Sequence, residues 1–123
     1  MDNRRTVLIT GGARGIGAEI AKEFAQQGDQ VILHYGSSTE KAEAIIASLS
    51  GTGHVAVQAD IRNPAEIATM VESVGSRFGK IDVLINNAGV FIDHPIESTT
   101  YEEWQSAWDQ VLGVNLIGAA NMT

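Results

Sequence analysis

The chain has 123 residues, 44% of them hydrophobic and 19% charged, a composition that suits one globular domain and argues against disorder. A formal net charge of -7 leaves no basic face for nucleic acid, and no apolar run approaches the ~18 residues of a membrane span. With no cysteine there is no disulfide framework, and His34, His54 and His94 lack metal-ligand spacing, so no metal is expected. The opening MDNRRTVLIT is no secretory signal, which makes the cytoplasm the expected compartment.

The first predicted element is a strand, TVLIT, Thr6 to Thr10, which runs directly into GGARGIGAEIAKEFAQQG. Gly11, Gly15 and Gly17 occupy the turn and the first helical turn, with Ile16, Ile20 and Phe24 on one face of the helix that follows. A helix N-terminus carries unsatisfied N–H groups and about half a positive charge, and glycines let a pyrophosphate approach without meeting a Cβ. The plainer reading is a glycine-rich strand-to-helix turn that binds nothing.

VILHY (Val31–Tyr35), HVAVQA (His54–Ala59) and IDVLIN (Ile81–Asn86) are the next predicted strands. Three of the four strands are nearly continuous in apolar residues, as strands buried on both faces of a parallel sheet are. The helix after the second strand has Ser37 and Glu40 in capping-box spacing, apolar positions at Ala42, Ile45, Ile46 and Leu49, and Gly51 as a stop. In the next helix Asn63 caps, Pro64 takes the first position and Glu66 lies three after the cap. Its stripe is Ile67, Met70, Val71, Val74 and Phe78. Thr100 and Glu103 open the last helix, where Trp104, Trp108, Val111 and Asn115 fall on one stripe. That spacing predicts a buried amide at Asn115, which needs a partner on the sheet.

Alternating strands and helices predict an α/β fold, a Rossmann-type doubly wound parallel sheet. There is no linker, repeat or low-complexity segment, so residues 1–123 read as a single dinucleotide-binding domain. LGVNLIGAANMT, Leu112 to Thr123, reads as the middle of a helix, and the domain is expected to be incomplete at its C-terminus, truncated after the helix that follows strand four. A fourth strand left as an apolar edge predicts that the isolated chain dimerises, aggregates or needs a complementing fragment.

The spacing Gly-x-x-x-Gly-x-Gly in TGGARGIG resembles the cofactor turn of the short-chain dehydrogenase/reductase family, and three further marks stand in register over the whole chain. Asp60–Ile61 ends the third strand, where the resemblance implies the adenine is held. NNAG, Asn86 to Gly89, ends the fourth, which adds Asn87, Ala88 and Gly89 to the implied cofactor residues. NLIG, Asn115 to Gly118, fits the family's Asn-x-x-Gly, and the resemblance implies a catalytic role for Asn115, with a plain core asparagine as the alternative.

NAD-binding folds of this type carry a carboxylate at the end of strand two; here that place reads HYGSS, with Tyr35, Ser37 and Ser38 and no acid. Arg14, before Gly15, adds a cation suited to a phosphate, so NADP(H) is expected over NAD(H). The resemblance further implies an oxidoreductase acting on a carbonyl or alcohol, such as a 3-oxoacyl thioester or small ketone, in an assembly of identical subunits in which the last helix packs across a dimer interface. The family's Tyr-x-x-x-Lys pair is absent from these residues: Thr39 stands four after Tyr35, and Gln105 four after Tyr101. The chain by itself is therefore expected to be inactive. A non-catalytic nucleotide-binding or regulatory module is the second reading, and an assembly module built on Trp104 and Trp108 the third. Asp93–His94 reads as a turn before it reads as an acid/base pair.

Overall fold

The computed structural model describes residues 3–123. β1 (Thr6–Ile9), β2 (Gln30–Tyr35), β3 (Val55–Gln58) and β4 (Val83–Ile85) form one sheet in the order β3-β2-β1-β4. All three pairings are parallel: Val7 stands opposite Val31 on one side and Val83 on the other, and Ile32 opposite Val55. The C-terminal ends of the four strands therefore open on one edge. The helices are α1 (Gly15–Gln26), α2 (Thr39–Ser48), α3 (Pro64–Phe78) and α4 (Tyr101–Leu112), with a π-helical stretch, Gly113–Gly118, leading from α4 into a short α5 (Ala119–Met122).

Alternation along each strand divides the core in two. Val7, Ile9, Val31 and Leu33 face Ala21 and Ala25 of α1 and Ala42 of α2. Leu8 and Ile32 face Ile67, Met70 and Val74 of α3 and Met122 of α5. Helices thus cover both faces of the sheet, as a doubly wound architecture requires. β1 and β2 are buried throughout, while β3 and β4 are half-buried apart from Gln58, which is exposed. The fold class expected from the pattern is the one observed.

The local details divide. Asn63 caps α3 through a bond from the Ala65 N–H at 3.0 Å, with Pro64 in the first turn. Thr100 and Glu103 close a reciprocal capping box on α4. At α2, by contrast, the cap is Ser38 rather than Ser37, and its hydroxyl makes no capping bond. β4 is half the expected length, because the main chain leaves the ladder at Asn87, whose N–H turns to the Thr10 hydroxyl at 3.0 Å. In α1 it is the small residues, Gly17, Ala18, Ala21 and Ala25, that meet the sheet. Ile16 is 74% exposed, since alanines allow the closer helix–strand approach.

Candidate functional site

The strand ends converge on a cleft of about 840 Å³. Its floor is the turn after β1. Thr10 anchors that turn: its hydroxyl donates to the Ile85 carbonyl at 3.4 Å and accepts from the N–H groups of Asn87 at 3.0 Å and Ala88 at 2.9 Å. The Asn87 amide donates to the carbonyls of Thr10 and Gly11, both at 3.1 Å, so NNAG is sewn to the glycine turn. Gly17 is buried beneath this junction. A Cβ there would stand 2.5 Å from Asn87 Nδ2 and 2.7 Å from the Gly11 carbonyl, so the residue sets the approach of helix to turn.

α1 begins at this turn. Its cap, Arg14, has extended backbone and offers no side-chain acceptor to the first N–H groups, and the first turn holds no acidic residue. Those N–H groups have no intrahelical partner either. They meet the cleft at Gly15 and Ile16.

Tyr35, Gly36, Ser37, Ser38 and Lys41 form the wall beyond β2, and Ala59 to Arg62 the wall beyond β3. No carboxylate stands at the β2 end. Asp60 is held by Arg62 through bonds of 3.1 and 2.9 Å, and these, with the Arg62 main-chain N–H at 3.0 Å, keep its carboxyl below the usual range. Every lysine and arginine of the described residues is engaged by another group except Arg14 and Lys41. Arg5 pairs with Asp29, Lys22 with Glu19, Arg62 with Asp60 and Lys80 with Asp82; Arg77 lies over Phe78, and Arg4 donates to Gln30 and Thr52. The two remaining cations both line the cleft.

Twelve of the residues singled out from sequence line this one cleft: Gly11, Arg14, Gly15, Ile16, Tyr35, Ser37, Ser38, Asp60, Ile61, Asn87, Ala88 and Gly89. Gly17 lies under it. Asn115 is not buried, contrary to expectation. It sits in the π-helical stretch, and the stripe it shares with the tryptophans is itself open to solvent, Trp108 of regular α4 being 42% exposed. Both its amide oxygen and its amide nitrogen are nonetheless engaged, accepting from the Val90 N–H and donating to the Val90 carbonyl, and Val90 lines the cleft. Trp104 packs on Trp108, which is 42% exposed and receives the edge of the His94 ring. His94 Nδ1 is bonded to the Ile92 carbonyl at 2.8 Å, and Asp93–His94 lies in irregular chain just before the turn at 96–98 rather than in a turn itself.

Sequence reasoning missed Lys41, Arg62, Val90 and His34. Lys41 was visible as the only basic residue in the first turn after HYGSS. His34 had no signal, since it reads as one more strand residue.

A four-stranded parallel sheet in this order, helices on both faces and a glycine turn at the end of the central strand define a Rossmann-type α/β protein. The pattern that characterises the short chain dehydrogenases matches residues 5–123, and the chain belongs to that family of oxidoreductases. It is 37% identical over 123 residues to the 3-oxoacyl-[acyl-carrier-protein] reductase FabG of Staphylococcus aureus, covering 98% of this chain and 48% of that one. Hydroxynaphthalene reductase arp2 of Aspergillus fumigatus is 35% identical over 107 residues, covering 85% of this chain and 39% of the relative. Among solved structures, a short chain dehydrogenase from Bacillus anthracis superimposes with a TM-score of 0.83 at 33% identity, over 96% of this chain and 48% of that one. One from Burkholderia cenocepacia, in complex with NADP, gives 0.81 at 34%, over 96% and 47%. The chain spans about half the length of the FabG relatives it matches. No helix among the described residues is long and apolar enough to cross a membrane.

Proposed function

We propose that these residues are the NADP(H)-binding portion of a reductase that moves a hydride between nicotinamide and a carbonyl or alcohol substrate. The observation that carries this reading is the pairing of an uncapped α1 N-terminus with Arg14 and Lys41, the two cations left without partners, around one cleft. The free N–H groups at Gly15 and Ile16 suit a pyrophosphate. Arg14, Lys41 and the hydroxyls of Ser37 and Ser38 suit a ribose 2′-phosphate, which a carboxylate at the β2 end would repel. Asp60 and Ile61 form the adenine side, with Asp60 kept ionised by Arg62. Bound NADPH would supply the hydride. The chain's own part is to orient the dinucleotide along the strand ends, with Asn87, Ala88 and Gly89 as the far wall.

Asn115 acts in that reaction as a positioning residue, holding Val90 at the cleft wall. The FabG relatives, named for a 3-oxoacyl-[acyl-carrier-protein] substrate, support an acyl thioester as substrate. The exposed run of Trp108, Leu112 and Leu116 supports an assembly of identical subunits.

Fluorescence titration with NADPH and NADH, on the chain and on Arg14→Ala, tests the reading. NADPH is expected to bind at least about tenfold tighter than NADH, and the substitution to remove most of that margin while leaving NADH nearly unchanged. Equal affinities, or an Arg14→Ala protein with undiminished NADPH binding, would reject the NADP preference.

A further inference from the structure

His34 is 2% exposed, the most deeply placed ionisable side chain at the cleft, and no step of the proposed reaction uses it. Both ring nitrogens are spent on main chain. The Gly11 N–H donates to Nδ1 at 3.0 Å, so Nδ1 carries no proton; Nε2 then donates to the Ala59 carbonyl at 2.9 Å. The main-chain carbonyl of the same residue accepts from the Gly12 N–H at 3.0 Å. One residue of β2 therefore ties the glycine turn after β1 to the end of β3, next to Asp60.

We propose that His34 is a proton-operated latch on the dinucleotide site: neutral, it fixes the Gly11 turn against the Ala59–Asp60 wall, and protonated, it releases Gly11 and loosens the cleft. The chemistry is a change of donor count. A protonated imidazole has two N–H donors and no acceptor, so Nδ1–H would face the Gly11 N–H, and that amide would lose its only side-chain acceptor. The bond to Ala59 would survive, so the effect falls on the turn and not on the β3 wall.

Two influences act on proton uptake, burial against it and, more weakly, the bond to the Ala59 carbonyl in its favour. β1, β3, the π-helical stretch and α5 contain no ionisable side chain. Asp60 and Arg62 neutralise each other, and Glu66 of α3 accepts from the Asp60 N–H at 3.1 Å. Tyr35 lies on the other face of the sheet, bonded to Thr39, and Arg14 stands at the far end of the turn. Burial holds the imidazole pKa below its ordinary value. The sign follows: the latch is shut at neutral pH, and the stability it contributes falls away as pH drops below the unfolded-state value of about 6.5.

The inference rests on the dinucleotide reading only for its effect on affinity, and the experiment separates the two. Amide exchange of Gly11, with Leu8 as the core reference, is followed by NMR on the nucleotide-free chain between about pH 7.5 and about pH 4.5. Expected is a fall in the Gly11 protection factor on acidification while Leu8 keeps its own. Unchanged Gly11 protection across that range overturns the latch, whether or not nucleotide binds. In parallel, NADPH titrations compare the chain with His34→Asn. The chain should lose about fivefold more affinity on acidification than the variant, whose residual pH dependence reports the nucleotide's own phosphate, titrating near pH 6. Coincident pH profiles also overturn the proposal. If NADPH fails to bind at neutral pH, the proposed function falls, and Gly11 exchange still decides the latch. If His34→Asn does not fold, the pH series on the unsubstituted chain decides.

Discussion

Asn115 and Val90 are joined at both of Val90's main-chain polar groups, with the amide oxygen 2.8 Å from the N–H and the amide nitrogen 2.9 Å from the carbonyl. A side-chain amide is suited to this, since it presents one acceptor and one donor side by side. The link ties the π-helical stretch to the segment after β4 and holds one wall of the cleft. Asn115→Ala should lower stability by about 1–2 kcal/mol, read as a shift in urea midpoint, and weaken NADPH binding severalfold through the freed Val90. Asn115→Asp should be no better than alanine, because its second oxygen would face the Val90 carbonyl. A variant equal to the parent in both readouts would remove Asn115 from the positioning role.

Gly15 has φ of +56° and stands at the mouth of the cleft with open space where a Cβ would point. Gly15→Val therefore meets no clash within the protein, but it must hold a left-handed backbone costing about 1–2 kcal/mol and projects a branched side chain at the first N–H groups of α1. We expect a modest loss of stability and a loss of NADPH affinity of at least about tenfold, by thermal melt and fluorescence titration. Undisturbed binding in a folded Gly15→Val protein would mean that the pyrophosphate does not sit at this turn.

Lys41, in the first turn of α2, lines the cleft and has no partner among the described residues. Lys41→Glu should reduce NADPH affinity by about tenfold at low salt and change NADH affinity little, and the difference should shrink as salt screens the site. An equal effect on both nucleotides would show that Lys41 acts through general charge.

Asp82 accepts from the Thr6 N–H at 2.7 Å and pairs with Lys80 at 3.0 Å, tying the start of β4 to the start of β1. Its pKa lies below the ordinary carboxylate value, chiefly because of the Thr6 bond and secondly because of Lys80. A depressed folded-state pKa contributes stability above the unfolded value of about 3.9, lost as pH falls through the folded one. Acid unfolding of Asp82→Asn should therefore show a shallower loss of stability across that window than the parent. Superimposable acid titrations would assign the shift no role in stability.

Much of the architecture could be read from the chain because the relevant signals are local. Val7–Ile9 and the central residues of β2 are apolar without interruption because helices cover both faces, and Asn63-Pro64 and Thr100-Glu103 carry their caps within a few residues of themselves. The errors come where a distant partner decides. Ser37 and Ser38 are equivalent as caps until the exit angle of β2 selects one. Asn115 was expected to be buried with the tryptophan stripe, which the fold leaves partly open, with Trp108 42% exposed. His34 is chemically silent in a strand until β1 and β3 bring Gly11 and Ala59 to its two nitrogens. Lys41 follows HYGSS closely enough to be legible, whereas Arg62 belongs to the cleft through the crossing of strand ends, which no spacing in the chain encodes. The electrostatic contrast between them, one unpaired and one neutralised by Asp60, exists only in three dimensions.

The sheet order also dictates an itinerary for the chain during folding. β1 sits between β2 and β4, so its first neighbour arrives within one helix, while its second comes only after three strand–helix units: the Thr6–Asp82 bond closes a separation of 76 residues. Closing so large a loop costs little more than closing one half its size, but contacts of that range slow the search for the native pairing. Until β4 docks, one hydrogen-bonding edge of the fully buried β1 stays bare, and that interval is when the nascent polypeptide is most open to pairing with the wrong neighbour.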